Sequence, residues 1–268
     1  MNLISEALLK FLTDETLRVA ILKGEWGIGK TFFWRNFLKL AKDTLDFRAY
    51  SYVSLFGAEE IGDLKRQVFS NFEILDEKKL SKHLEKLKPI STLLKAIKIP
   101  YLNSSGPIND LIENKLIDNF LICIDDLERK ERSISGASVL GFISHLKEEK
   151  SCKIILIYND KELDEKTEEQ INEYREKVVD LELTYRPTIG ENLSIIWPEN
   201  CPQCVADIFH SLELNNIRVM QRVKWTLEYF AEEIARFSRS RRCCLPTIIH
   251  YCYQKTRTTR AALRFLRS

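Results

Sequence analysis

The octet Gly24-Glu25-Trp26-Gly27-Ile28-Gly29-Lys30-Thr31 limits this chain more than any other feature. It has the form G-x-x-x-x-G-K-[ST] and lies between a short apolar run and an amphipathic one. Three of the nine glycines crowd into it, and that density lets consecutive backbone amides curl around an anion. The helix expected to begin near Lys30 adds its positive N-terminal end. The Lys30 ammonium would reach the outer phosphates of a nucleotide, and the Thr31 hydroxyl would ligate magnesium. All eight residues are therefore candidate phosphate ligands. A dinucleotide loop is disfavoured, because no G-x-G-x-x-G occurs and the Gly-Lys-Thr ending belongs to triphosphate sites. Trp26 reads as a packing residue and Trp34 as core.

The pattern around the loop alternates strand and helix. Apolar runs at 18–24, 119–124 and 153–158 predict strands, as does an alternating run at 48–56 rich in aromatic and β-branched residues, and an alternating run at 178–185 predicts a fifth, nearer an edge. Helical spacing is expected over 30–42, 61–72, 138–150 and 166–177. This order predicts an α/β fold, a parallel five-stranded sheet flanked by helices. Residues 1–187 would form that core, with a charged helical insert at about 73–115. Helices at 202–212 and 217–237 would build a small lid over 188–235, and 236–268 would be a basic tail.

Ligands of such sheets lie beyond the carboxyl ends of the strands, and polar residues gather there. The run Leu121-Ile-Cys-Ile124 ends in Asp125-Asp126-Leu127-Glu128-Arg129. A carboxylate at the end of a strand next to the phosphate loop can hold a metal through its water shell, and Asp125 is placed for this. A second carboxylate can orient or deprotonate an attacking water, with Asp126 preferred over Glu128. Asn159 ends the next strand; it would either hydrogen-bond that water or the γ-phosphate, or simply form a turn.

Charge separates the tail from the body. Residues 1–233 carry 32 basic and 39 acidic side chains, whereas 234–268 carry nine basic and none acidic. A basic tail suits a nucleic-acid arm; the abrupt loss of acids equally suits a frameshifted or truncated end. No apolar run approaches the ~18–20 residues of a membrane span, and no secretory signal is visible, so a cytoplasmic protein with no membrane partner is expected. The seven cysteines are odd in number and scattered, which predicts reduced thiols. The one C-x-x-C, Cys201 to Cys204, would need His210 and a further ligand to hold zinc, and reads as a turn.

Taken together, these residues resemble the KAP-family P-loop NTPases of the AAA+/STAND-like group. The Gly-x-Trp-Gly opening of the loop, Tyr52-Val-Ser-Leu-Phe-Gly57, Asp125 to Arg129, Ile157-Tyr-Asn-Asp160 and Glu176-Lys-Val-Val-Asp180 carry the likeness. Asn215-Asn-Ile-Arg218 resembles the start of a lid helix bearing a sensor arginine. The resemblance implies ATP with Mg2+ as cofactors, a γ-phosphate contact from Arg218, and Arg129, Arg132 or Arg175 as a finger reaching a neighbouring subunit. It also implies a molecular switch, in a setting such as bacterial antiphage defence or signalling, working through a protein partner or self-association. A nucleotide-binding scaffold without turnover and a DNA-handling ATPase using the basic tail are the rival expectations.

Overall fold

The computed structural model describes residues 3–79, 82 and 117–229. The expected helical insert lies largely outside these residues, and the basic tail lies wholly outside them. Contacts divide the chain into two units, residues 1–24 with 30–185 and residues 25–29 with 186–268.

The first unit is a six-stranded sheet of β1 (Val19–Lys23), β2 (Ala49–Ser54), β3 (Phe72–Ile74), β4 (Phe120–Asp125), β5 (Lys153–Tyr158) and β6 (Leu181–Thr184) in the order β3-β2-β4-β5-β1-β6. Five strands are parallel, as the sequence predicts. The sixth, β3, pairs antiparallel with β2 at one edge. Three residues, all at least partly exposed, are too short a run to show a period, so the strand count read from the sequence is one low. β6 forms the other edge beside β1, the place its alternating pattern suggests, and every residue in it is half-buried.

Alternation along the strands sends side chains to two faces. Val19, Ile21, Ile122, Ile124, Ile154 and Leu156 share one core with Leu64, Val68, Val139, Leu140, Ile143 and Ile171. Those last six come from α3 (Ile61–Ser70), α4 (Gly136–Glu149) and α5 (Glu165–Val178). Tyr50 points to the opposite face, where its hydroxyl accepts a bond of 3.0 Å from the Trp34 indole. Trp34 lies on α2 (Lys30–Ala41) and is fully buried. The helix α5 runs on through Val178, so the fifth parallel strand starts three residues later than its apolar pattern suggests.

A helix not expected from the sequence, α1 (Leu3–Thr13), precedes β1 and buries Leu8, Phe11 and Leu12. Its carboxyl end meets the buried Lys153, whose ammonium donates to the carbonyls of Phe11 (2.6 Å), Leu12 (3.2 Å) and Asp14 (2.5 Å). Orphan carbonyls at a helix end are thus satisfied by a cation, which the helix dipole also favours there.

The described part of the second unit has three helices, α6 (Ile189–Ile196), α7 (Gln203–Ser211) and α8 (Ile217–Tyr229). Leu193, Ile196, Val205, Phe209, Val219, Met220 and Val223 form its core. The helix α6 was not expected, yet its start is legible: Thr188 and Glu191 bond reciprocally as a capping box.

Candidate functional site

In the first unit the carboxyl ends of the parallel strands lie along one edge of the sheet, and the polar residues at those ends come together. Register aligns Ser54 with Asp125 across β2 and β4. The strand carrying Asp125 does not adjoin β1: β5 lies between them. Asn159, at the end of β5, belongs to the intervening strand.

Thr31 lies in the first turn of α2, and its hydroxyl donates to Asp125 Oδ2 at 2.6 Å. The same oxygen accepts from the Tyr52 hydroxyl at 2.7 Å, and Asp125 Oδ1 accepts from the Asp126 amide at 2.8 Å. Burial pushes the Asp125 carboxyl above the usual carboxylate range; the Asp126 charge adds to this, while the bonds from Thr31, Tyr52 and the Asp126 amide oppose it. Burial, with Asp125 alongside, also raises the Tyr52 phenol well above its ordinary value, so it remains a donor. Lys30 is buried, and its ammonium donates to the Gly24 carbonyl at 2.7 Å.

The two remaining acids occupy different surroundings. Asp126 has φ of 62°, the left-handed region that Asp tolerates better than most residues. Its Oδ2 accepts from the Ser54 hydroxyl at 2.7 Å, and its Oδ1 lies 3.4 Å from Arg129. Arg129 in turn stacks 3.7 Å over the Phe56 ring. Glu128 sits in the 3-10 turn Leu127–Arg129, with backbone amides of Glu128 and Asn159 against its carboxylate. Its Oε2 is buried without a partner among the described residues. Burial therefore raises the Glu128 pKa, with Lys30 pulling it back. Asn159 is buried, and its side-chain oxygen accepts from the Lys161 amide at 3.2 Å, the turn-forming role.

The crest of the loop is held within the second unit. Gly27 and Gly29 have φ of 77° and 103°, which glycine adopts without strain. The Gly27 carbonyl accepts from the Ile217 amide at 2.8 Å, and the Ile28 carbonyl accepts from Asn192 Nδ2 at 3.1 Å. The Ile28 amide closes a turn onto the Glu25 carbonyl at 3.4 Å. A Cβ on Gly27 would collide with the Asn216 side chain. Arg218 lies 4.8 Å over the Trp26 ring, so both residues take part in one cation–π contact.

Arg175 pairs with Glu182 at 3.1 Å, and Arg132 is exposed. Cys201 and Cys204 are free thiols, and among the described residues no group of three or more His, Cys, Asp or Glu could hold a metal. No helix among the described residues is long and apolar enough to cross a membrane. Tyr52, Ser54, Asn192 and Asn216 are the polar partners that sequence reasoning missed. Tyr52 and Ser54 lie inside a strand pattern, and only register shows which carboxylates they meet.

A glycine-turned loop between strand and helix, with its Thr bonded to a strand-end Asp, defines a P-loop domain. The sequence profile of the KAP family P-loop domain matches residues 86–229, and the chain belongs to that family. No curated protein sequence matches it at a significant level. Among solved structures, Cdc6p from Pyrobaculum aerophilum is similar in fold, with a TM-score of 0.50 and 16% identity over 86% of this chain and 62% of that one. A replication initiator DnaA bound to AMPPCP and single-stranded DNA aligns at a TM-score of 0.48 and 16% identity, covering 88% of this chain and 63% of that one. Domain III of DnaA from Thermotoga maritima aligns at 0.46 and 14% identity, covering 94% and 89%. The chain spans less than two thirds of the length of the first two.

Proposed function

We propose that this protein binds ATP with Mg2+ and hydrolyses it, using the nucleotide to set the state of a molecular switch. The observation that carries the reading is the 2.6 Å bond between Thr31 and Asp125, from residues 94 positions apart. That pairing suits a shared magnesium ion, with Thr31 as a direct ligand and Asp125 acting through the metal's water shell. Asp125 is buried with its Oδ2 against the Thr31 hydroxyl, so a cation held there would meet oxygens of both residues. Bound there, the ion would neutralise charge on the phosphate oxygens.

The chain's own groups do the rest. The loop amides between Gly24 and Thr31 bind phosphate oxygens, and Lys30 exchanges its carbonyl partner for the outer phosphates. Glu128, rather than Asp126, takes the proton from the attacking water. Both Asp126 oxygens are engaged, by Ser54 and Arg129, whereas Glu128 has a buried oxygen with no partner among the described residues. Its raised pKa brings it nearer the working pH, as a general base requires. Asn159 holds the Glu128 carboxylate through its backbone amide. Arg218, stacked on Trp26 in the structure at hand, would report the γ-phosphate by leaving that ring. ATP over GTP rests on family membership, and the sequence carries no N-K-x-D guanine motif; a setting in defence or signalling rests on the same family likeness.

Steady-state phosphate release in the presence of Mg2+ tests this reading. Turnover that vanishes in Lys30→Ala is the expected result. Undiminished ATP affinity in that variant overturns the site assignment, and binding without any release reduces the protein to a nucleotide-dependent scaffold.

A further inference from the structure

Tyr52 is the one side chain at the Asp125 carboxylate that the mechanism above leaves without a task. It lies in β2, two residues before Ser54, on the sheet face covered by α2. Its hydroxyl donates to Asp125 Oδ2 at 2.7 Å, the oxygen that also accepts from Thr31 at 2.6 Å. With the Asp126 amide on Oδ1, three donors fix the carboxylate plane, and rotation about its terminal bond would break at least one of them. The ring is restrained as well. Arg35 follows Thr31 by four residues on α2 and so faces the same way, and its guanidinium lies 4.7 Å over the Tyr52 ring. The first turns of α2 therefore grip the tyrosine twice, once through its ring and once through a shared acceptor.

We propose that Tyr52 is a positioning residue for the metal site, holding Asp125 Oδ2 in register with Thr31 so that the site takes up magnesium together with nucleotide. The inference rests on the reading of Asp125 and Thr31 as the metal-holding pair. Groups that bond a metal-holding carboxylate orient it and tune its basicity, and their loss typically costs 10–100-fold in metal affinity. A tyrosine kept only to fill space between strand and helix would not discriminate metal-bound from metal-free nucleotide.

The test uses Tyr52→Phe, which keeps the ring, its burial and the Arg35 contact while deleting the hydroxyl. A fluorescent ATP analogue is titrated onto the full chain at a series of Mg2+ concentrations and again in EDTA. The expected result is a Mg2+ midpoint raised about 10–100-fold, with the affinity in EDTA unchanged. A midpoint within about twofold of the parent protein overturns the proposal, and so does equal weakening in EDTA. Asp125→Asn serves as the reference. If it also leaves the Mg2+ midpoint unmoved, the metal reading itself fails; if it abolishes the Mg2+ response while Tyr52→Phe does not alter it, only the role of Tyr52 fails.

Discussion

Replacing Glu128 with Gln separates chemistry from architecture in one experiment. The side chain keeps its shape, and the charge and the basic site are lost. If Glu128 is the general base, hydrolysis falls by about 10²–10⁴-fold, while ATP binding through Lys30 and the loop persists. Stability moves the other way. The Glu128 Oε2 atom is buried with no partner among the described residues, and an unsatisfied buried polar atom costs about 1–3 kcal/mol, more when charged. Gln still leaves one polar atom there, so removing the charge recovers only part of this, about 1 kcal/mol. That corresponds to a melting temperature about 2–4 °C higher for a domain of this size.

The sign of the pH dependence follows from the direction of the shift. Burial raises the Glu128 carboxyl above its ordinary value of 4.5, so the folded state holds this proton more tightly than the unfolded chain does. The stabilisation is present in full below about pH 4.5 and is lost as pH rises through the folded value. Gln does not titrate. The gap in melting temperature between Glu128→Gln and the parent should therefore be near its largest at pH 7–8 and close towards pH 4. Differential scanning fluorimetry across that range, with phosphate release at pH 7.5, checks both halves. Turnover within threefold of the parent, or a variant that melts lower than the parent at pH 7.5, would refute the reasoning.

Other outcomes follow from the same contacts. Lys30→Ala should abolish nucleotide binding while leaving the fold intact, checked by calorimetric titration beside circular dichroism. Gly27→Ala places a methyl group against Asn216 at a backbone angle of 77°; the left-handed strain alone is about 1–2 kcal/mol, so a lower melting temperature and at least tenfold weaker ATP binding are expected in equilibrium titration. Lys153→Met removes the donor shared by three carbonyls at the end of α1, at a cost of about 1–3 kcal/mol. Lys153 begins β5 and Asn159 follows its end, roughly 20 Å away at ~3.3 Å per residue, so urea denaturation should show the loss while ATP affinity of the folded protein stays unchanged.

Much of this protein was legible in its sequence, because the relevant signals are local. The loop from Gly24 to Thr31 announces itself by composition, since only glycine reaches the backbone angles at positions 27 and 29 without strain. The central strands β1, β4 and β5 show as apolar runs because both of their faces are covered, β2 and β6 show as alternating runs, and the capping pair Thr188 and Glu191 could have marked α6 in advance. The short edge strand β3 could not be read, because three partly exposed residues carry no period.

Relations between distant residues needed the folded chain. Strand order placed β5, and with it Asn159, between the loop-bearing strand and the one that ends in Asp125. Register put Ser54 opposite Asp125, within reach of the Asp126 carboxylate, and the packing of α2 over β2 and β4 brought Tyr52 and Thr31 to a single oxygen of Asp125. The choice of Glu128 over Asp126 as the base depends on which oxygens already have partners. Sequence spacing cannot supply that, because burial and contacts with distant residues, Ser54 at Asp126 and Lys30 and Asn159 at Glu128, decide the basicity of a carboxylate, and only tertiary packing brings those residues together.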